Sequence, residues 1–225
     1  MSNREVPSVP ASVDDWRPQR FGRGIRSVKD ALVEPSWGGV RVLARLEIGR
    51  VRFFDEDGAD CTGEFAEQAE ALAAAALSDD LILDGYLTIE PTQSDVGSSP
   101  AETQAPGGAQ MMATMLVGSL AAPRTAVKRH LDTDQPIAFV AVDLLLIDGT
   151  RLVDLPLLER KRLLDGALTQ GEKVRITPFV RPPITVYANT WRGMGFEDIA
   201  YKGANSRYYP AGQNDDWSIA PIPNR

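Results

Sequence analysis

Cysteine and histidine, the two side chains that most often supply thiolate nucleophiles and zinc ligands, are each present once in this sequence. Cys61 is the single cysteine and His130 the single histidine among 225 residues. One histidine rules out sites built on two or three, and one of each rules out a Cys/His zinc cluster. The two lie far apart in the sequence, nothing recommends them as a Cys–His pair, and both read as structural residues. Neither GxGxxG nor GxxxxGK[ST] occurs, so a glycine-rich phosphate loop is excluded. Arg17, Arg20, Arg23, Arg26 and Lys29 recur at every third position. In an extended, polyproline-like chain that period sets all five on one side, a strip that could touch phosphates. The competing reading is a solvated tail or a wrap over acidic surface. The net charge of −7 favours the second, because nucleic-acid binders usually show a basic footprint.

The compartment follows from what is scarce. A lone cysteine forms no internal disulfide and suits a reducing environment. Residues 1–13 carry Arg4 and Glu5 and no apolar run, unlike an export signal. The longest apolar stretch, 136–147, is interrupted by Asp143 and too short to span a bilayer. The expectation is a cytoplasmic protein with no membrane contact.

The elements that must position any site read as α+β. Residues 1–30, rich in Pro, Ser, Arg and Gly, form a flexible basic N-terminal segment, mobile or draped over the domain. Val40 to Glu47 alternates, as a half-buried strand does, with Val40, Val42, Ala44 and Leu46 inward. Ile48-Gly49 turns the chain into a returning strand at 51–54. Asp57-Gly58 marks another turn, and Thr62 is placed to cap an Ala/Glu-rich helix over 63–77. Strands are expected at 81–83 and 86–89, flanking Asp84-Gly85. Residues 91–109 read as a disordered low-complexity loop, and Met111 to Leu120 as a short helix. An apolar strand follows at 137–147, then a helix at 156–164 with proline in its first turn. Short strands, a helical turn at 191–194 and strands near 199–202 and 217–219 complete the chain. Nothing here is a βαβ succession, so the expectation is mixed antiparallel sheets.

One run of residues carries more than secondary structure. Glu34-Pro35-Ser36-Trp37-Gly38-Gly39-Val40-Arg41 resembles E-x-K-W-D-G-x-R, the first motif of ATP-dependent DNA ligases. The segment 54–65 (FDEDGADCTGEF) is similar to SRNGxDxTxxF, and Leu83-Asp84-Gly85-Tyr86-Leu87 to LDGEL. Val142-Asp143-Leu144-Leu145, Asp148-Gly149 and Pro156-Leu157-Leu158-Glu159-Arg160 follow FDLL…DG…PLxxR. Glu197 and Lys202 match the ends of EGxxxK, and 209–217 is similar to YxPGxxxxDW. The order is preserved throughout.

The resemblance implies a nucleotidyltransferase (ATP-grasp-like) adenylation domain over 31–222, with two antiparallel sheets flanked by helices. No OB-fold follows before Arg225. Its nucleotide-binding residues would be Glu34, Trp37, Arg41, Val142, Glu197 and Lys202, and its ligands ATP and magnesium if activity is retained. Relatives place AMP on the first-motif lysine, an amine made nucleophilic by neighbouring cations and desolvation. Here Ser36 stands in that place and Gly38 replaces the adjacent Asp. Glu56 stands for the cation of SRNG, Tyr86 for the metal-holding Glu, and Val142 for the Phe that stacks on adenine. Ile219 and Pro221 stand where both lysines of W-x-K-x-K belong.

The retained fold and missing groups point to a catalytically inactive domain that acts by binding. Its partner would be a protein, or DNA held weakly or through the basic strip, with no cofactor expected. The alternative is an active adenylyltransferase in DNA repair whose amine comes from Lys29 or Lys202, or whose hydroxyl is Ser36. A third reading is a subunit of a larger repair assembly. For the retained charged residues, the structural expectation is a Glu34–Arg41 ion pair and a Lys202–Glu197 bridge along one strand.

Overall fold

The computed structural model of the chain describes residues 9–25, 27–89 and 136–223. The alternating segment forms β3 (Val40–Glu47), paired antiparallel with β4 (Arg50–Asp55). Ile48 and Gly49 connect them at φ 49° and 71°, the left-handed pair that a two-residue hairpin turn requires. The alternation predicts one exposed face, yet Arg41 and Leu43 on that face are buried. A second sheet covers them.

The larger sheet runs β4-β3-β5-β6-β7, with β5 (Asp80–Thr88), β6 (Ala138–Ile147) and β7 (Thr150–Arg151). A short strand, β8 (Val174–Ile176), joins β6 in parallel. The two strand segments expected around Asp84-Gly85 are one strand, irregular in register at that dipeptide. A Cβ on Gly85 would lie 2.5 Å from the Phe139 ring and 2.7 Å from the Val140 carbonyl oxygen. Only glycine lets β6 approach so closely. Gly39, at φ 101°, is fixed more tightly still, since a Cβ there would lie 2.2 Å from the Leu87 carbonyl oxygen.

The smaller sheet is β11-β9-β2, from β2 (Ala31–Pro35), β9 (Asp198–Gly203) and β11 (Trp217–Pro221). The sequence pattern did not show β2, whose five residues are all buried and so carry no alternation. A two-stranded parallel ladder joins β1 (Arg20–Phe21) to β10 (Gln213–Asn214), a further departure from purely antiparallel pairing.

Helix α1 (Ala66–Ala75) packs on one face of the larger sheet, where Leu72 meets Val42, Phe53, Leu83 and Phe139. On the other face Leu43, Ile82 and Leu145 meet Leu32, Tyr208 and Trp217. Thr62 does not cap α1. A 3-10 turn, Thr62–Phe65, precedes the helix, and the Thr62 hydroxyl accepts from the Phe53 amide and donates to Asp60. Helix α2 (Leu157–Asp165) starts one residue later than expected, with Pro156 as its N-cap rather than in its first turn. The helical turn at 191–194 is the end of a longer helix, α3 (Thr185–Gly193).

Of the two readings of the N-terminal segment, residues 9–25 take the draped one: Trp16 and Gln19 are buried. Arg17 is tied to the carbonyl oxygens of Asp14 and Trp16, while Arg20, Arg23 and Lys29 are exposed. Arg26, the 91–109 loop, the 111–120 helix and His130 lie outside the described residues. No helix among the described residues is long and apolar enough to cross a membrane.

Candidate nucleotide-binding site

Glu34 and Lys202 stand on adjacent strands of the smaller sheet. Their register, Glu34 opposite Ala200 and Leu32 opposite Lys202, makes them diagonal neighbours on one face. The Lys202 ammonium lies 2.7 Å from Glu34 Oε2 and 4.3 Å from the Trp217 ring centroid. A second ammonium, Lys161 of α2, lies 2.6 Å from Glu34 Oε1 and donates to the Val142 carbonyl oxygen at 2.7 Å. All three side chains are buried, and this carboxylate serves two cations.

The sequence reading missed Lys161. Its signal was available: Leu157, Arg160, Lys161 and Leu164 fall on one helical face at i, i+3, i+4 and i+7, and all four are buried. Burial lowers the Lys161 pKa, opposed by Glu34 and reinforced by the nearby charge of Lys202.

Arg41 does not pair with Glu34, which corrects the first expectation. β3 and β2 belong to different sheets, and Arg41 faces β5, where its Nε and Nη2 bind both oxygens of Asp84 at 3.1 and 2.7 Å. Arg41 Nη1 donates to the Gln19 carbonyl oxygen, and the Tyr208 hydroxyl donates to Asp84 at 2.8 Å. Burial works against the Arg41 charge but Asp84 more than offsets it, so its pKa stands well above the usual value. Burial, then the charge of Asp84, pushes the Tyr208 hydroxyl well up.

The Lys202–Glu197 bridge is likewise corrected. Glu197 precedes β9, and five extended residues span ~16 Å and end on the opposite face. The Glu197 backbone carbonyl accepts from the Ile222 amide.

Trp37 turns away from this cluster. It lies edge-on to Phe196 at 5.0 Å and donates from its indole to Thr177 Oγ1. Val142 is buried in the same apolar cluster as Trp37, with Tyr86 packed against it. The Tyr86 hydroxyl is pushed up to about 12, first by burial. Asp143, next to Val142, forms a second fully buried pair, with Arg160 Nε and Nη2 at 2.9 and 2.8 Å. The Ser36 amide donates to the Asp198 carbonyl oxygen, which fixes Ser36 against β9.

Glu34, Arg41, Asp84, Asp143, Arg160 and Lys202, all from the quoted motifs, are buried in ion pairs. The sequence model of the ATP dependent DNA ligase domain matches residues 22–218. The chain belongs to this family. A probable DNA ligase of Streptomyces coelicolor is 29% identical over 197 residues, covering 85% of this chain and 35% of the relative. The multifunctional non-homologous end joining protein LigD of Mycobacterium bovis is 23% identical over 184 residues, 82% of this chain and 20% of that protein. The chain therefore spans about a third or less of the length of these relatives. Among solved structures, the ligase domain of Mycobacterium tuberculosis LigD superposes with a TM-score of 0.64 at 24% identity, over 92% of this chain and 59% of that one. Mycobacterial DNA ligase D complexed with ATP and MES gives 0.65 at 21% identity, over 95% and 62%. These likenesses establish the adenylation-domain fold.

The residues present do not fit the metal that the family uses. Among the described residues no three His, Cys, Asp or Glu side chains are grouped to hold one. Tyr86, where the motif resemblance implies a carboxylate, is packed in an apolar cluster, and Glu34 is paired with two lysines.

Proposed function

We propose that this ligase-family domain is catalytically silent and acts by binding, to a protein partner or weakly to DNA, within cytoplasmic DNA repair. The observation that carries the reading is the state of the amines around the first motif. Ser36 holds the nucleophile position, and both nearby ammonium groups, Lys161 and Lys202, are committed to Glu34. A serine hydroxyl is un-ionised near neutral pH and needs a base beside it to attack phosphorus. The groups that stabilise a transferring phosphoryl are also replaced, by Ile219 and Pro221. Tight binding of ATP is not expected, because Val142 offers no stacking face and Glu56 repels a polyanion.

The test is incubation with labelled ATP and Mg²⁺ or Mn²⁺, then denaturing electrophoresis. Unlabelled protein is the expected result. Acid-labile, base-stable label on the chain would identify a lysine phosphoramidate and overturn the proposal.

A second reading is favoured by one specific feature. An amine whose pKa is lowered by burial and a neighbouring cation is what lysine nucleophiles share, and Lys161 has both. In that reading Lys161, rather than Lys29, Lys202 or Ser36, carries the adenylate, and Lys161→Met abolishes the label.

A further inference from the structure

Arg45 of β3 stands directly opposite Arg52 of β4. Like charges so placed repel, and a sheet tolerates them only with a counter-charge at hand. A third guanidinium, Arg17, reaches the same place from the N-terminal segment, held by the Asp14 and Trp16 carbonyl oxygens at 2.9 and 2.6 Å. With Trp16 and Phe54 these arginines line a cleft of about 130 Å³. The cleft shares no residue with the Glu34 cluster.

Among the described residues Asp14 is the one carboxylate lining the cleft, and it pairs with Arg45. Its side chain is 73% exposed, on a three-residue 3-10 turn that buries nothing. Arg45 has a second partner in Glu47 at 2.6 Å and does not depend on Asp14. Arg52 has no carboxylate within ion-pair distance among the described residues. Its guanidinium is instead steadied over the Phe54 ring, 5.1 Å from the centroid. Three guanidinium groups thus line a cleft whose lining carboxylate is held by one of them alone, in a protein whose net charge is −7.

We infer that this cleft is an anion site that takes one phosphate group, carried by a mononucleotide or by a nucleic-acid strand. Phosphate oxygens accept from guanidinium forks two at a time, which suits arginines better than lysines to this task. A water needs about 10–15 Å³ of such space, so the cleft has room for a phosphate while a base and sugar stay outside. Asp14 swings out to solvent as the phosphate takes its place between Arg45 and Arg52.

Inorganic phosphate titrated into ¹⁵N-labelled protein at constant ionic strength tests the assignment. Saturable amide shifts are expected at residues 13–17, 43–45 and 52–54. Arg52→Gln, an exposed change, should weaken phosphate by about tenfold or more, as one charge-assisted bond is lost. Asp14→Asn should tighten it about threefold or more, because the competing anion is gone. A purely structural Arg45–Asp14 pair would give no such gain. Competition by AMP and by a short DNA duplex then identifies the carrier. Displacement by AMP alone indicates a mononucleotide, and stronger, salt-sensitive displacement by duplex indicates a strand. Absent saturation, equal affinity in Arg52→Gln, weaker binding in Asp14→Asn, or displacement by neither competitor would each overturn the inference. None of these results depends on whether the Glu34 cluster is catalytic.

Discussion

Lys161 and Lys202 approach the two oxygens of Glu34 from opposite elements, a helix and a strand, at 2.6 and 2.7 Å. Removing the shared anion leaves two buried ammonium groups without a counter-charge. Glu34→Gln is expected to cost about 3–5 kcal/mol of unfolding free energy, in the range for breaking a buried pair. Lys161→Met should cost less, since Glu34 keeps Lys202 and the methionine fills the same space. Urea denaturation of both variants checks the order; an equal or reversed ranking would show that Glu34 is not the hub.

Gly85 allows the close approach of β5 and β6. A Cβ there would press on both the Phe139 ring and the Val140 carbonyl. Gly85→Ala should therefore destabilise by about 1–3 kcal/mol through overpacking. The midpoint in urea should fall while the slope stays constant.

Tyr86 links stability to alkaline pH. Its folded pKa of about 12 exceeds the ordinary value of 10.0. Between those limits the unfolded chain has lost a proton that the folded chain keeps. Its contribution is complete below pH 10 and is lost as pH rises to about 12. Lys161 acts in the opposite sense: with its pKa lowered from 10.5, the folded state releases the proton first, and stability rises with pH up to that value. Tyr86→Phe isolates the tyrosine. Its stability should fall less steeply than the parent's above pH 10, and parallel curves would refute the assignment.

Why the sequence showed the scaffold but not the wiring is clear from particular residues. The glycines of Asp84-Gly85 and Gly39 announce themselves because close backbone approach and positive φ leave no other choice. The β3–β4 hairpin is legible from alternation and Ile48-Gly49, since both are local. Ion-pair partners are not local. Glu34 and Arg41 lie seven positions apart, yet they belong to different sheets, so their partners come from α2, β9 and β5. Lys202 and Glu197 fail because a strand sends residues five apart to opposite faces. β2 was invisible because burial on both sides erases the period that marks a strand. The family motifs supplied the topology that periodicity could not, but motif matching overlooked Lys161, whose position in PLLERKRLL is not a quoted motif residue.

Restoring the missing nucleophile alone should not restore chemistry. Ser36 is held against β9 through its amide, so Ser36→Lys would place an amine near Glu34, where two ammonium groups already stand. A third cation there has no unshared carboxylate to meet. The phosphate side is no better provided. On β11, Ile219 lies opposite Ala200 and Pro221 opposite Asp198, and neither side chain can neutralise charge on a transferring phosphoryl. Groups that act on one transition state are strongly non-additive, so one regained member recovers little of the lost rate. The expected outcome is no nick sealing by Ser36→Lys, and covalent AMP at background level after incubation with labelled ATP and either metal. Nick sealing by Ser36→Lys alone would mean that the remaining groups already form a competent site.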